Sequence, residues 1–448
     1  MQENKMGTMQ VNRLLVSMAA PMILSMLVGA LYNVVDSLFV SHFSEDALSA
    51  VSLAFPIQNI IIACGTGIGV GINSLLSRYL GEKKQNKVNQ TAMHGILLGI
   101  CFYLVVLLFG IFGIHGFYSI QTKADSIILM GTDYLTIVCI FGFGQMFQLI
   151  LEKLLQSTGR TAYTMVMQIT GAFLNIILDP ILIFGYLGLP AMGTKGAAIA
   201  TVIGQIIAML LGVYFNLKKN TDIQLNFKIF AFDRNYIKEI CSVGIPTVIM
   251  QSMSSVMCFG VNKLLLAYST TATAVFGAYF KLQSFVYMAV FGLNNALISI
   301  VAYNRGARKG KRIKSAIMLS GLYSALIGLL GTAIMEIFPV QLMNAFAPSE
   351  EMFSLGITTL HILGLSFIFG GVTVMISYAL QGFSRGVSSL IVSAARQVIV
   401  LLPMSYILGN IMGINGIWWG FLVAEVIVMV VSLFYICAVE KRELAALM

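Results

Sequence analysis

The sequence predicts an all-α membrane protein with twelve transmembrane helices, arranged as two six-helix lobes related by a pseudo-two-fold axis along the membrane normal. Three observations lead there. Of 448 residues, 58% are hydrophobic and 10% charged, against roughly 25% charged in an ordinary soluble domain. Apolar runs near or above the roughly 20 residues that cross a bilayer recur from end to end, separated by short polar loops. The second half also repeats the first at a constant offset that sets Pro246 on Pro21.

The apolar runs place helices at 14–40, 47–78, 91–117, 127–152, 162–187, 196–217, 238–266, 272–303, 315–338, 353–380, 387–411 and 413–438. The stretch after Arg13 is too long for a signal peptide and lacks a small-residue cleavage site, so it reads as the first helix. All six cysteines, Cys64, Cys101, Cys139, Cys241, Cys258 and Cys437, lie in apolar segments. That argues against a disulfide framework and for small core side chains.

The net charge of +9 is unevenly placed. On one set of alternate loops lie Arg13, Arg78, Lys83, Lys84, Lys87, Arg160, Lys218, Lys219, Lys228, Arg234, Arg305, Arg308, Lys309, Arg385 and Lys441. The facing loops carry Lys123 and Lys195 beside the acidic Glu45, Asp46, Asp125, Glu350 and Glu351. The positive-inside rule therefore puts both termini in the cytoplasm, and the charge is a topology signal rather than a nucleic-acid footprint.

In the repeat, Pro21 meets Pro246, Gln58 meets Gln283, Gly81 meets Gly306, Gln156 meets Gln381 and Arg160 meets Arg385. After a short slip, Met192-Gly193-x-x-Gly196 meets Met412-Gly413-x-x-Gly416. The expected organisation is a lobe at 1–217, a polar cytoplasmic linker at 218–237 and a lobe at 238–448. An even number of helices per lobe makes the halves parallel. Two bundles rocking across a central cleft suit a transporter, whereas duplication that merely enlarges a scaffold is the alternative.

Ionisable groups inside a membrane are costly and mark function by default. The first lobe holds Asp36, in Leu31-Tyr-Asn-Val-Val-Asp36, and Asp179, in Asn175-Ile-Ile-Leu-Asp179-Pro180; topology puts both near the outer end of their helices. Asn175 and Asp179 are four apart and share a helix face, and Pro180 loosens the local ladder. Such an oxygen-rich pocket suits a hard cation. Two close carboxylates also resist joint ionisation, so the pair could instead hold a proton. Sodium and proton both stay open, and no other cofactor is implied. A structural alternative has Asp179 capping the helix after Pro180 and Asp36 bonding a loop backbone.

Asp133 reads as a solvated helix end, and Lys153 as snorkelling from beside Glu152 to the interface. The second lobe has Val261 and Met404 where the first has its two aspartates. Its buried ionisables are read as Lys263, Lys281, Glu336, Arg396 and Glu425, with His94 and His361 as packed core histidines. Candidates for lining a substrate cavity are Tyr32, Asn33, Glu152, Gln156, Lys281 and Arg396, with methionine and phenylalanine supplying adaptable apolar walls; the alternative for Lys281 and Arg396 is pairing with Glu425 or with backbone carbonyls. The glycines at 65, 67, 69 and 71 favour close packing inside the bundle. Gly382-Phe-Ser384-Arg-Gly386 fits the nucleophile-elbow pattern but joins two membrane helices instead of a strand and a helix. No reactive cluster for an enzyme accompanies it.

Pro21, Leu-Tyr-Asn-Val-Val-Asp36, Gln156-Ser-Thr-Gly-Arg160, Asn175-x-x-x-Asp179-Pro180 and Gly196-Ala-Ala-Ile-Ala-Thr201 together resemble the multidrug and toxic compound extrusion (MATE) family, nearest its DinF-like and MepA-like bacterial branches. The resemblance covers the whole chain. It implies a V-shaped antiporter in the bacterial plasma membrane that acts as a monomer. Small organic, cationic or aromatic substrates would leave against entering H+ or Na+. It further implies a first-lobe cation site of Asp36, Asn175, Asp179 and Thr201 with the Ala197 carbonyl, and a bend of the first helix near Pro21; Pro180, with its loosened ladder, is read as the second hinge. An acidic second-lobe residue used in another branch has no counterpart here. A flippase for a lipid-linked saccharide is the alternative within the same architecture.

Overall fold

The computed structural model describes residues 4–226, 230–346 and 348–445; Lys228 of the basic loops lies outside them. Among the described residues there are helices and no strands. After the short α1 (Lys5–Thr8), the first half runs α2 (Val11–Phe43), α3 (Glu45–Gly81), α4 (Gln85–Phe112), α5 (Ile114–Gln121), α6 (Asp125–Ile140), α7 (Phe143–Ser157), α8 (Thr161–Phe184) and α9 (Thr194–Lys218). The second half runs α10 (Arg234–Leu266), α11 (Thr270–Gly306), α12 (Gly310–Ile337), α13 (Pro339–Asn344), α14 (Glu350–Gly364) and α15 (Ser366–Gly382). It ends with α16 (Gly386–Ala394), a π-helical turn at Ala395–Ile399, α17 (Leu401–Met412) and α18 (Ile414–Ala445).

Among the described residues, ten helices are long and apolar enough to cross a membrane, and counting each of two bent pairs as one span gives up to twelve. The bent pairs are α6 with α7, at 44°, and α14 with α15, at 45°. Each break falls on closely spaced small residues, Gly142 and Gly144 in one and Gly364 and Ser366 in the other, as sharp kinks do. The third span also differs from the 91–117 expected: it stops at Phe112, and after Gly113 the separate α5 begins at Ile114.

The repeat reaches down to backbone detail. Ser44 caps α3 by accepting from Ala47 N at 3.0 Å, and Ser269 caps α11 from Ala272 N at 3.1 Å. Lys83 and Arg308 both turn through left-handed φ (57° and 56°), as do Gly159 and Ser384 (80° and 58°). Before the last helix of each half, Gly193 and Gly413 take φ 53° and 67° with strongly negative ψ, a conformation a Cβ would oppose.

Two compact units emerge, Leu24–Ile245 and Met1–Ile23 with Pro246–Met448. This moves the expected boundaries: Met1–Ile23 groups with the second half, and the chain up to Ile245 groups with the first. The glycine stripe of α3 supplies the reason. In the unit 24–245, Gly71 lies against the Ile240 carbonyl, and a Cβ on Gly244 would stand 2.9 Å from Gly67 O, so α10's leading turns pack on α3. In the other unit, a Cβ on Gly292 would stand 2.7 Å from Ile23 Cα, seating α2's leading turns on α11. Both are backbone approaches that only a missing side chain permits.

Polar contacts finish each base. Arg78 pairs with Glu239 at 3.0 Å in the first unit. In the second, Arg312 donates to the carbonyls of Met6 and Met9 at 3.0 and 2.7 Å. Arg160 pairs with Asp222, and its counterpart Arg385 pairs with Glu443.

Candidate functional site

The site begins with the α8–α9 seam. Gly171 and Gly204 face each other so closely that a Cβ on Gly204 would stand 2.6 Å from Gly171 O. Further along, Gly196 lies against the Leu182 carbonyl. Between these glycine contacts the side chains of α8 and α9 meet. Asn175 Nδ2 donates to Thr201 Oγ1 at 3.2 Å and to Asp179 Oδ1 at 3.3 Å. Asn175 is 2% exposed, Asp179 0% and Thr201 9%. Ala197, one turn before Thr201, is fully buried on the same face. Pro180 follows Asp179 within the continuous α8, and its ring nitrogen cannot donate to the Ile176 carbonyl four residues earlier.

Asp36 reaches this seam from α2, its carboxyl within hydrogen-bonding distance of Asp179. Two carboxyls can sit so close only when a proton is shared between them or a cation bridges them. Three oxygens here are buried without a hydrogen-bond donor: Asp36 Oδ1, Asn175 Oδ1 and Asp179 Oδ2. Buried acceptors of this kind are expensive unless something positive satisfies them. The donor set of two carboxyls, an amide oxygen and a hydroxyl fits a proton or a hard cation such as Na+. Among the described residues, no cluster of three or more His, Cys, Asp or Glu side chains could hold a metal ion.

Tyr32, one turn before Asp36 on α2, faces both carboxyls. Tyr134 on α6 adjoins Asp36 and Tyr32, and its hydroxyl accepts from Gln58 Nε2 of α3 at 2.8 Å. Sequence reasoning missed Tyr134 and the role of Gln58. The available signal was a lone glutamine in an apolar run, paired with Gln283 across the repeat.

The other candidates scatter. Asn33 is exposed and bonds back to Gly29 O on its own helix at 2.8 Å, so it does not join the site. Glu152 is buried on α7, accepting from Gln148 at 3.0 Å and Gln168 at 2.8 Å. Gln156 lies one turn beyond, buried with its Oε1 lacking a donor. Lys153 is buried, not snorkelling.

In the second unit, Lys263 and Lys281 are exposed, correcting their reading as buried ionisables. Glu336 and His361 form a half-exposed pair at 2.5 Å, so neither is a core residue. Arg396 is buried against Glu425 at 2.8 Å. Asp133 pairs with Lys195 at 3.1 Å on a partly exposed helix. Of the cysteines only Cys139 is buried, while Cys101 and Cys437 are exposed.

With this geometry in view, the MatE family model matches residues 21–181 and 246–407, two segments that open on the matched prolines Pro21 and Pro246. The chain belongs to the MATE family. Members of the family are transporters, not enzymes, which disposes of the Ser384 motif. The multidrug export protein MepA of Staphylococcus aureus (strain MRSA252) is 25% identical over 429 residues, 94% of this chain and 92% of that protein. MepA of Staphylococcus haemolyticus (strain JCSC1435) is likewise 25% identical, over 423 residues. A solved outward-facing conformation of a multidrug resistance MATE family transporter of the MOP superfamily has a TM-score of 0.92, 24% identity and coverage of 100% and 99% of the two chains. The fold of this MATE chain is therefore that of solved MATE transporters, with the multi-pass architecture its composition requires.

Proposed function

We propose that this MATE transporter exports small organic molecules, cationic or aromatic, by alternating access, driven by H+ or Na+ entering through the Asp36–Asp179 pair. The observation that carries the reading is the meeting of the Asp36 and Asp179 carboxyls with Asn175, leaving three buried oxygens that lack a donor. Such a cluster is relieved each time a positive ion arrives, so ion occupancy changes the free energy of the α2–α8–α9 cluster. A ligand shifts a conformational equilibrium only by its differential affinity for the two states. Here that difference lies in whether Asp36 on α2 stays against α8. Pro21, beside the point where α2 passes from one unit to the other, is the natural hinge, and Pro180 softens the other wall. Tyr32, Gln156 and Glu152 are the first-unit candidates for substrate contact. The protein acts in the plasma membrane as a monomer, and its loop charges place both termini in the cytoplasm.

The test is efflux of a fluorescent organic cation from energised vesicles, with sodium and pH gradients imposed separately. Whichever gradient drives efflux in the parent should fail in Asp36→Asn and Asp179→Asn at normal expression. Unchanged coupling in both variants would remove the site.

A further inference from the structure

The second unit carries a charged pair at the seam where the first carries its ion site. The offset that sets Pro246 on Pro21 also sets Arg396 on Gly171, and the offset of the last helices, which sets Gly413 on Gly193, sets Glu425 on Gln205. These positions lie one to two turns cytoplasmic of Asn175, Asp179 and Thr201 in the equivalent helix pair. Where α8 and α9 close glycine to glycine, Arg396 Nε instead donates to Glu425 Oε1 at 2.8 Å. Both side chains are nearly buried, 14% and 10% exposed.

Local structure is adapted to this arginine. Ala395–Ile399 forms a π-turn, closed by Val400 N donating to Ala395 O at 2.9 Å. Pro403 follows, unable to donate to the Ile399 carbonyl four residues earlier. The extra residue per turn rotates Arg396 towards α18, a device π-bulges supply at functional sites. The guanidinium lies 4.9 Å from the centre of the Tyr287 ring. Gly370 of α15 leaves room for the Tyr287 hydroxyl, and a Cβ there would stand 3.1 Å from Glu425 Oε1. Tyr279 and Tyr287 of α11 are the other titratable groups facing the pair, while α10 contributes a neutral bond from Ser254 to Gln397 at 3.0 Å. Glu425 Oε2 is buried without a donor.

We infer that Arg396 is a resident cation, holding the last helix pair of the second unit in the arrangement that the first unit reaches only when an exchangeable ion binds. Arg396 is thus a positioning residue for transport. It makes the second unit independent of the coupling ion, so one unit alone is ion-dependent. The inference rests on the proposed coupling through Asp36 and Asp179.

The experiment measures vesicle efflux against coupling-ion concentration in the parent, in Arg396→Met, in Arg396→Met with Glu425→Gln, and in the swapped pair Arg396→Glu with Glu425→Arg. The parent should be first order in the ion. In Arg396→Met the Glu425 carboxylate must be neutralised from solution on every cycle, so the dependence should steepen towards second order, the limit for two sites. The neutral double variant and the swapped pair should return to first order. A merely structural ion pair would lower efflux without changing its order, and that result overturns the inference. If Arg396→Met does not fold, the other two variants decide: folded protein that fails to transport, or transports at second order, also overturns it. A parent with no ion dependence removes the Asp36–Asp179 coupling and this inference together. Loss of coupling in Asp179→Asn with unaltered order in Arg396→Met removes this inference alone.

Discussion

The last helix pairs of the two units, α8 with α9 and α16–α17 with α18, descend from one repeat and treat charge in opposite ways. The first gathers two carboxyls with an amide and leaves oxygens unmet, with no basic side chain bonded to them; the second buries an arginine against a glutamate, so the carboxylate has a positive partner although its Oε2 lacks a donor. The first must take its positive partner from outside, so it responds to its surroundings. The second brings its own and is indifferent to them. On the function proposed above, duplication supplied a frame in which one copy senses an ion while the other is fixed.

The strongest test of this contrast is Arg396→Met, which strands a buried carboxylate. Breaking one side of a buried pair costs about 3–5 kcal/mol, whereas replacing both partners by apolar groups is near neutral. Thermal unfolding in detergent should show Arg396→Met far less stable than Arg396→Met with Glu425→Leu, and equal stabilities would undo the comparison.

Asp179→Asn acts on the opposite side. Losing a charged ligand costs up to about 3 kcal/mol, or roughly a 100-fold weaker ion dependence of efflux. A variant that still half-saturates at the parent's ion concentration would mean the pair is not the sensor.

Gly204→Ala probes the seam itself. Its methyl would meet Gly171 O at 2.6 Å, so the helices must separate at about 1–3 kcal/mol. The counterpart Ala424 already carries that methyl, fully buried. A fully stable Gly204→Ala would show that close approach does not hold the site.

Asn175→Ala removes a neutral ligand and should weaken ion dependence about tenfold, near 1.4 kcal/mol. Smallest is Arg160→Ala, which breaks a partly exposed pair with Asp222 and should cost no more than about 1 kcal/mol.

Much of this was legible in the sequence because the signals are local. Twelve spans follow from apolar length, and the repeat from identities such as Pro21 with Pro246. Asn175 and Asp179 follow from their spacing of one helical turn before a proline. What stayed hidden depends on approaches between distant segments. The glycine stripe of α3 announced close packing but not that its partner would be the start of α10. Tyr134 and Gln58 are single polar residues whose meeting needs the α3–α6 contact. Lys281 and Lys263 looked buried because a hydropathy run does not say which face of a helix points inward. The pairing of Arg396 with Glu425 was legible as the alternative to a cleft-lining role, and the contact decides for it; the π-turn beside it was not.

The passage of α2 and α10 between units in mid-helix also bears on how the chain is made. The stretch from Val11 to Ile23 emerges from the ribosome early, yet its seat on α11 is not synthesised until the second half is well under way. The opening segment must therefore wait in the bilayer, while the unit 24–245 can complete itself once α10 begins. Halting synthesis after α9 should strand both an unplaced leading helix and a first unit lacking its closing piece.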